Sequence, residues 1–150
     1  MRGSEPIDVL PLYGSLPPEV QDRAVIQGTR RKVIVATNIA ETSLTIPGIR
    51  HVVDSGTVRV HRFDSGRGVN MLATEPVSRA SADQRTGRAG READGTCHRL
   101  WTELEQQQRP AQGTPEVQRV ELSEALMLIK AMGYSNIDRF PWFQRPDNHM

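Results

Sequence analysis

The chain has 150 residues, 37% hydrophobic and 25% charged, with a net charge of +1 and one cysteine. That is enough apolar material for one domain and part of another, and the lone Cys97 excludes an internal disulfide and fits a reducing compartment. No run approaches the roughly 18 apolar residues of a membrane span, and the N-terminus lacks the apolar core of a secretory signal, so a cytoplasmic protein without a membrane partner is expected.

Residues 1–6 carry no pattern and read as disordered, as a cloning remnant, as a misassigned gene start, or as the tail of an upstream segment. Ile7 to Tyr13 (IDVLPLY) is a short apolar run suited to a buried strand. Ser15-Leu16-Pro17-Pro18-Glu19 then predicts a helix start, with proline in the first turn and the helix running to about Gln27. Lys32 to Thr37 (KVIVAT) is β-branched and almost wholly apolar, as a parallel strand covered on both faces should be. Arg50 to Asp54 (RHVVD) reads as a further strand of the same covered kind.

Thr57 to Asp64 and Val69 to Thr74 flank Ser65-Gly66-Arg67-Gly68 and predict an antiparallel hairpin. Ser78 to about Ala89 should be a helix capped by Ser78 or Ser81, and Thr96 to Trp101 a strand. Residues 102–115 are polar, with Pro110, Gly113 and Pro115, and read as a linker or loop. Leu122 to Met132 has helical apolar spacing closed by Gly133. The order of strands and helices implies an α/β layered fold with a mainly parallel sheet.

Charge is unevenly spread. Residues 1–49 balance, residues 50–100 carry nine Arg against six acidic residues, and residues 101–150 are slightly acidic. Arginine outnumbers lysine seventeen to two. The guanidinium fork suits phosphate, although a GC-rich coding sequence produces the same excess.

Two segments carry chemistry. In Gln84-Arg85-Thr86-Gly87-Arg88-Ala89-Gly90-Arg91, the guanidiniums of Arg88 and Arg91 are three residues apart at a helix end, among small residues that let a partner approach. Such a pair suits a triphosphate, although an ordinary basic surface helix looks alike. Ala36 to Ile49 (ATNIAETSLTIPGI) follows a predicted strand, where ligands of open α/β sheets bind. Its Thr37, Asn38, Thr42, Ser43 and Thr45 could contact a phosphate backbone or merely serve turns and caps.

Taken together, VATNIAETSLTIPGI and QRTGRAGR resemble motifs V and VI of superfamily 2 helicases, and the ETSLT variant with QRxGRAGR resembles the DEAH/RHA group. Leu12 to Pro18 (LYGSLPP) is similar to the group's motif IV region, and Glu75 to Ser81 (EPVSRAS) leans toward the bacterial HrpA/HrpB-type members. The resemblance implies a RecA-like, P-loop NTPase-type three-layer α/β lobe over 7–113 with a protruding β-hairpin. It implies that 114–150 is a linker and the start of a truncated winged-helix domain.

By the same resemblance, Arg88 and Arg91 would be arginine fingers and Gln84 would position the attacking water or γ-phosphate. Ser43, Thr45 and Gly87 would belong to the nucleotide side. Thr37 and Asn38 would grip the RNA backbone, with Gly14 and Ser15 beside them, and the hairpin would act as a wedge at the duplex junction. Val25 and Pro47 depart from the aromatic and the Asp many relatives carry there, which would leave base and sugar unread by this lobe.

No GxxxxGK[ST] and no Asp-Glu-x-His box is present. ATP and its Mg²⁺ would therefore be held by a first RecA-like lobe of the same polypeptide, and the isolated chain should be inactive. Two other readings fit the same residues: a non-catalytic nucleic-acid or partner-binding module, and a DNA helicase lobe. His51, His61, His98 and His149 have no metal-ligand spacing, and Trp101 and Trp142 read as structural rather than base-stacking.

Overall fold

The computed structural model describes residues 6–42 and 44–146. Expectations for residues 1–5 and for Ser43 lie outside the described residues. The chain divides into two compact units, one of residues 1–58 and 76–112, the other of 59–75 and 113–150.

In the first unit, β1 (Asp8–Leu12) runs parallel to β2 (Lys32–Ala36), with Asp8 opposite Lys32 and Leu12 opposite Ala36. The connection is α1 (Pro18–Val25), which has proline in its first turn and buries Ala24. Lys32 closes this βαβ turn. Its Nζ donates to the carbonyls of Ala24 at 2.6 Å and Ile26 at 2.9 Å, satisfying groups the helix end leaves unpaired. Burial holds the Lys32 ammonium below its usual range.

A second parallel pair joins β3 (His51–Asp54) to β6 (Thr96–Arg99). Between them in sequence come β4 (Thr57–Asp64), β5 (Val69–Pro76) and α3 (Arg79–Thr86). Ser78 caps α3, accepting from the Ser81 amide at 3.2 Å. Leu12, Ala24, Val77, Ala82 and Ala89 form the buried core of this unit.

The structure corrects three sequence expectations. The strands at 8–12, 32–36 and 51–54 are not buried as expected: Val9 on β1, Val33 and Val35 on β2, and Val53 on β3 are 65%, 49%, 62% and 67% exposed. Apolar composition shows that a strand can be buried on both faces, not whether the described residues supply both covers. The linker expected over 102–115 instead begins with α4 (Glu103–Gln108), closed by a reciprocal capping box between Thr102 and Glu105. One helical turn, α2 (Ile39–Thr42), stands in the Ala36–Ile49 segment, where no helix was expected. In addition, α3 stops at Thr86 rather than about Ala89, because i to i−3 bonds from Arg88 to Arg85 and from Ala89 to Thr86 tighten the chain past Gly87.

α4 also positions Arg109. The guanidinium lies 4.4 Å from the Trp101 ring centre and donates to the carbonyls of Gly56 and Val77, while the Trp101 Nε1 donates to Gln106 at 2.8 Å. Gly56 has φ +73°, and a Cβ there would come within 2.6 Å of both Arg109 and Trp101. Gly56→Ala should therefore lower the unfolding free energy by about 2 kcal/mol, seen as a lower denaturant midpoint; an unchanged midpoint would refute this account of the turn.

In the second unit the hairpin turn is closed by Asp64, whose Oδ1 accepts from the amides of Gly66 and Arg67 and whose carbonyl accepts from Gly68. A forked ion pair between Arg62 and Glu75 crosses the strands. That bond holds Glu75 below the usual carboxylate range, with a smaller contribution from the charge of Arg119. α5 (Ser123–Ala131) buries Ile129 and is followed, after Met132, by Gly133 with φ +96°. Met127, Leu128 and Met132 remain exposed, as does Phe143. Tyr134, Phe140 and Trp142 stack edge to face, and Trp142 Nε1 donates to the Ile137 carbonyl, a structural arrangement. No helix among the described residues is long and apolar enough to cross a membrane.

Candidate functional site

The end of α3 carries three arginines with different surroundings. Arg85 is neutralised: its Nε lies 2.9 Å from Glu41 and its Nη1 2.8 Å from Asp54, and the same Nη1 donates to the Thr57 carbonyl at 3.1 Å. Asp54 is nearly inaccessible, and its Oδ1 also accepts from the Gly56 amide. This network fastens α3 to α2 and to the end of β3.

Arg88 and Arg91 are placed differently. Among the described residues neither forms an ion pair. Arg88 Nε donates to the Glu41 carbonyl at 2.8 Å, Nη1 donates to the Leu44 carbonyl at 2.6 Å, and Nη2 also donates to Glu41. Arg91 Nη1 donates to the Thr45 hydroxyl at 2.8 Å. These partners are neutral, so they orient the guanidiniums without cancelling their charge. Burial, and then the charge of Arg91, hold Arg88 below the usual arginine range, while Glu41 acts in the opposite sense; the group stays protonated at neutral pH.

Thr42, Gln84, Gly87, Arg88 and Arg91 line one open basin of about 380 Å³. A surface with two oriented cations, an amide and a glycine is suited to an anion bearing several oxygens. The carbonyl end of α3 favours cations there as well. Among the described residues no cluster of His, Cys, Asp and Glu could hold a metal ion.

Of the residues selected from the sequence, Gln84, Gly87, Arg88 and Arg91 thus come together, and Thr45 joins them through Arg91. Ser43 lies outside the described residues. Thr37, Asn38, Gly14 and Ser15 form a second group, all exposed. The Thr37 amide donates to the Leu12 carbonyl, so the chain leaving β2 stays beside the end of β1. All four residues therefore follow the carboxyl ends of two neighbouring parallel strands, where open α/β sheets place ligands. Sequence reasoning assigned nothing to Glu41, Arg85 and Asp54. Glu41 and Arg85 lie inside the two recognised motifs, but nothing local indicated that they pair.

Paired parallel strands joined through helices, with an unneutralised arginine pair at the end of α3, define a lobe of the RecA-like α/β class. The family model for the helicase conserved C-terminal domain matches residues 1–93. The chain is 41% identical over 140 residues to the ATP-dependent RNA helicase HrpA of Escherichia coli, covering 93% of this chain and 11% of that protein. It is 46% identical over 141 residues to the human ATP-dependent RNA helicase DHX33, covering 92% and 20%. Among solved structures, the Escherichia coli DEAH/RHA helicase HrpB matches with a TM-score of 0.89 at 41% identity, covering 95% of this chain and 18% of that one. The chain belongs to the helicase conserved C-terminal domain family and is a C-terminal RecA-like lobe of the DEAH-box type. It spans a fifth or less of the length of these relatives.

Proposed function

We propose that this chain is the second lobe of a cytoplasmic ATP-dependent RNA helicase, closing on a nucleotide bound mainly by a first RecA-like lobe of the same polypeptide. The carrying observation is the difference between Arg85, neutralised by two carboxylates, and Arg88 and Arg91, oriented by neutral groups at the rim of the Gln84–Gly87 basin. In this role Arg88 and Arg91 are arginine fingers that neutralise charge developing on the transferred phosphoryl group. Gln84 orients the attacking water, and Gly87 lets the backbone approach. Thr45 and Ser43 report the occupancy of that site to the RNA track. The basin offers donors for phosphate oxygens and no acidic ligand set for Mg²⁺, which belongs with the first lobe.

Thr37, Asn38, Gly14 and Ser15 hold the RNA phosphates of a single strand, and the hairpin separates strands at the duplex junction. Such contacts are backbone-directed, hence salt-dependent and weakly sequence-specific. Residues 7–113 are the lobe and 114–150 begin the next domain.

The isolated chain should release phosphate from ATP at the buffer rate, with or without RNA. Adding a separately produced first lobe should bring RNA-stimulated hydrolysis. Turnover by this chain alone, or none after the first lobe is added, would reject the split-site reading.

A further inference from the structure

The hairpin belongs to the same compact unit as residues 113–150, and one side chain links the two. β4 and β5 form a two-stranded sheet, so the outer edge of β4 has no strand partner in that sheet. On that edge the Phe63 amide donates to the Arg119 carbonyl at 2.7 Å, and the Arg119 Nη1 donates to the His61 carbonyl at 2.7 Å. Residues 61 and 63 are two apart, so their backbone groups face the same side of the strand. Arg119 thus supplies both halves of a strand-like pairing, its carbonyl as the acceptor and its guanidinium in place of a second amide. It ends a 3₁₀ turn, Glu116–Gln118, and the Arg119 amide donates back to Glu116 at 3.0 Å, which fixes its backbone. The same guanidinium adds positive charge near the Arg62–Glu75 fork that crosses the hairpin.

From this geometry we infer that Arg119 is a positioning residue for strand separation: it fixes the hairpin against the segment that follows the lobe, so that the work of the nucleotide cycle is delivered at the hairpin instead of being lost in its bending. This rests on the helicase reading above. An isolated two-stranded hairpin is marginally stable in water, so a wedge needs such an outside brace.

The test uses the full-length protein, Arg119→Ala and Arg119→Lys, measuring RNA-stimulated ATP turnover and the strands separated per ATP on a duplex with a single-stranded overhang. Misplacement of a working element by an ångström costs one to two orders of magnitude, so Arg119→Ala should separate about tenfold fewer strands per ATP. Its ATP turnover should be unchanged, and Arg119→Lys, which keeps a donor and the charge, should recover most of the loss. Hydrogen exchange over residues 59–64 should be faster in Arg119→Ala. Strand separation per ATP equal to wild type, or a parallel fall in turnover and melting temperature, would overturn the inference. A wild-type protein with no RNA-stimulated turnover would instead sink the helicase reading, and the inference with it.

Discussion

In the full-length protein, Arg88→Ala should slow RNA-stimulated ATP turnover by about 10³-fold or more, while the KM for ATP changes little. A finger acts on charge that develops only in the transition state, so its loss falls on kcat. The loss corresponds to about 4 kcal/mol of barrier. Arg91→Ala should act in the same direction, and the double variant should be little worse than the poorer single one, because residues working as a unit are non-additive. Arg88→Lys should not restore turnover. The carbonyls of Glu41 and Leu44 are met by Nε, Nη1 and Nη2 of one planar fork, and a lysine ammonium cannot span them. Phosphate release under saturating RNA is the measurement; turnover in Arg88→Ala close to wild type, with the fold intact, would remove the finger assignment.

The second large effect is on stability. Arg85→Ala should cost about 3–5 kcal/mol, the cost of removing one partner from a buried ion pair. The reason is Asp54, whose side chain is 2% exposed and whose Oδ2 has no hydrogen-bond partner among the described residues, so its charge depends on Arg85. The Gly56 amide alone would remain to it, and Glu41, 15% exposed, would lose its ion pair as well. Because whole domains are stable by only about 5–15 kcal/mol, the variant should sit near the edge of folding. Asp54→Asn removes the stranded charge, so combining it with Arg85→Ala should recover about 1–3 kcal/mol relative to additivity. Denaturant unfolding of the four proteins in the cycle measures this, and strict additivity would show that Arg85 and Asp54 do not depend on one another.

The two residues also mark how far the sequence could be read. QRTGRAGR and ATNIAETSLT could be recognised because each is contiguous, so residue type and spacing alone gathered Gln84, Gly87, Arg88 and Arg91 into one candidate surface. The motif offers three arginines that look alike, and nothing local separates Arg85 from Arg88. The difference lies in partners 44 and 31 residues away, Glu41 and Asp54. Arg119 was less legible still, since its partners on β4 are 56 and 58 residues upstream and it stands in no motif.

Local chemistry likewise explains what was misread. Thr102-Glu103-Leu104-Glu105 is a capping box in plain sight, yet the glutamines, Pro110 and Gly113 around it suggested a linker; a reciprocal pair of cap bonds outweighed polar composition. β2 was read as covered on both faces because its apolar run is continuous, but coverage depends on what lies against a strand.

The succession of strands with α1 and α3, the hairpin, and the grouping of Gln84, Arg88 and Arg91 were set by the chain alone, because each depends on side chains a few residues apart. Which arginine is neutralised and which keeps its charge, what braces the hairpin, and how much of each strand is covered were settled only by folding. Each of those is decided by a charge, a carbonyl or an apolar face brought from a distant part of the chain, and such proximity has no signature in local spacing.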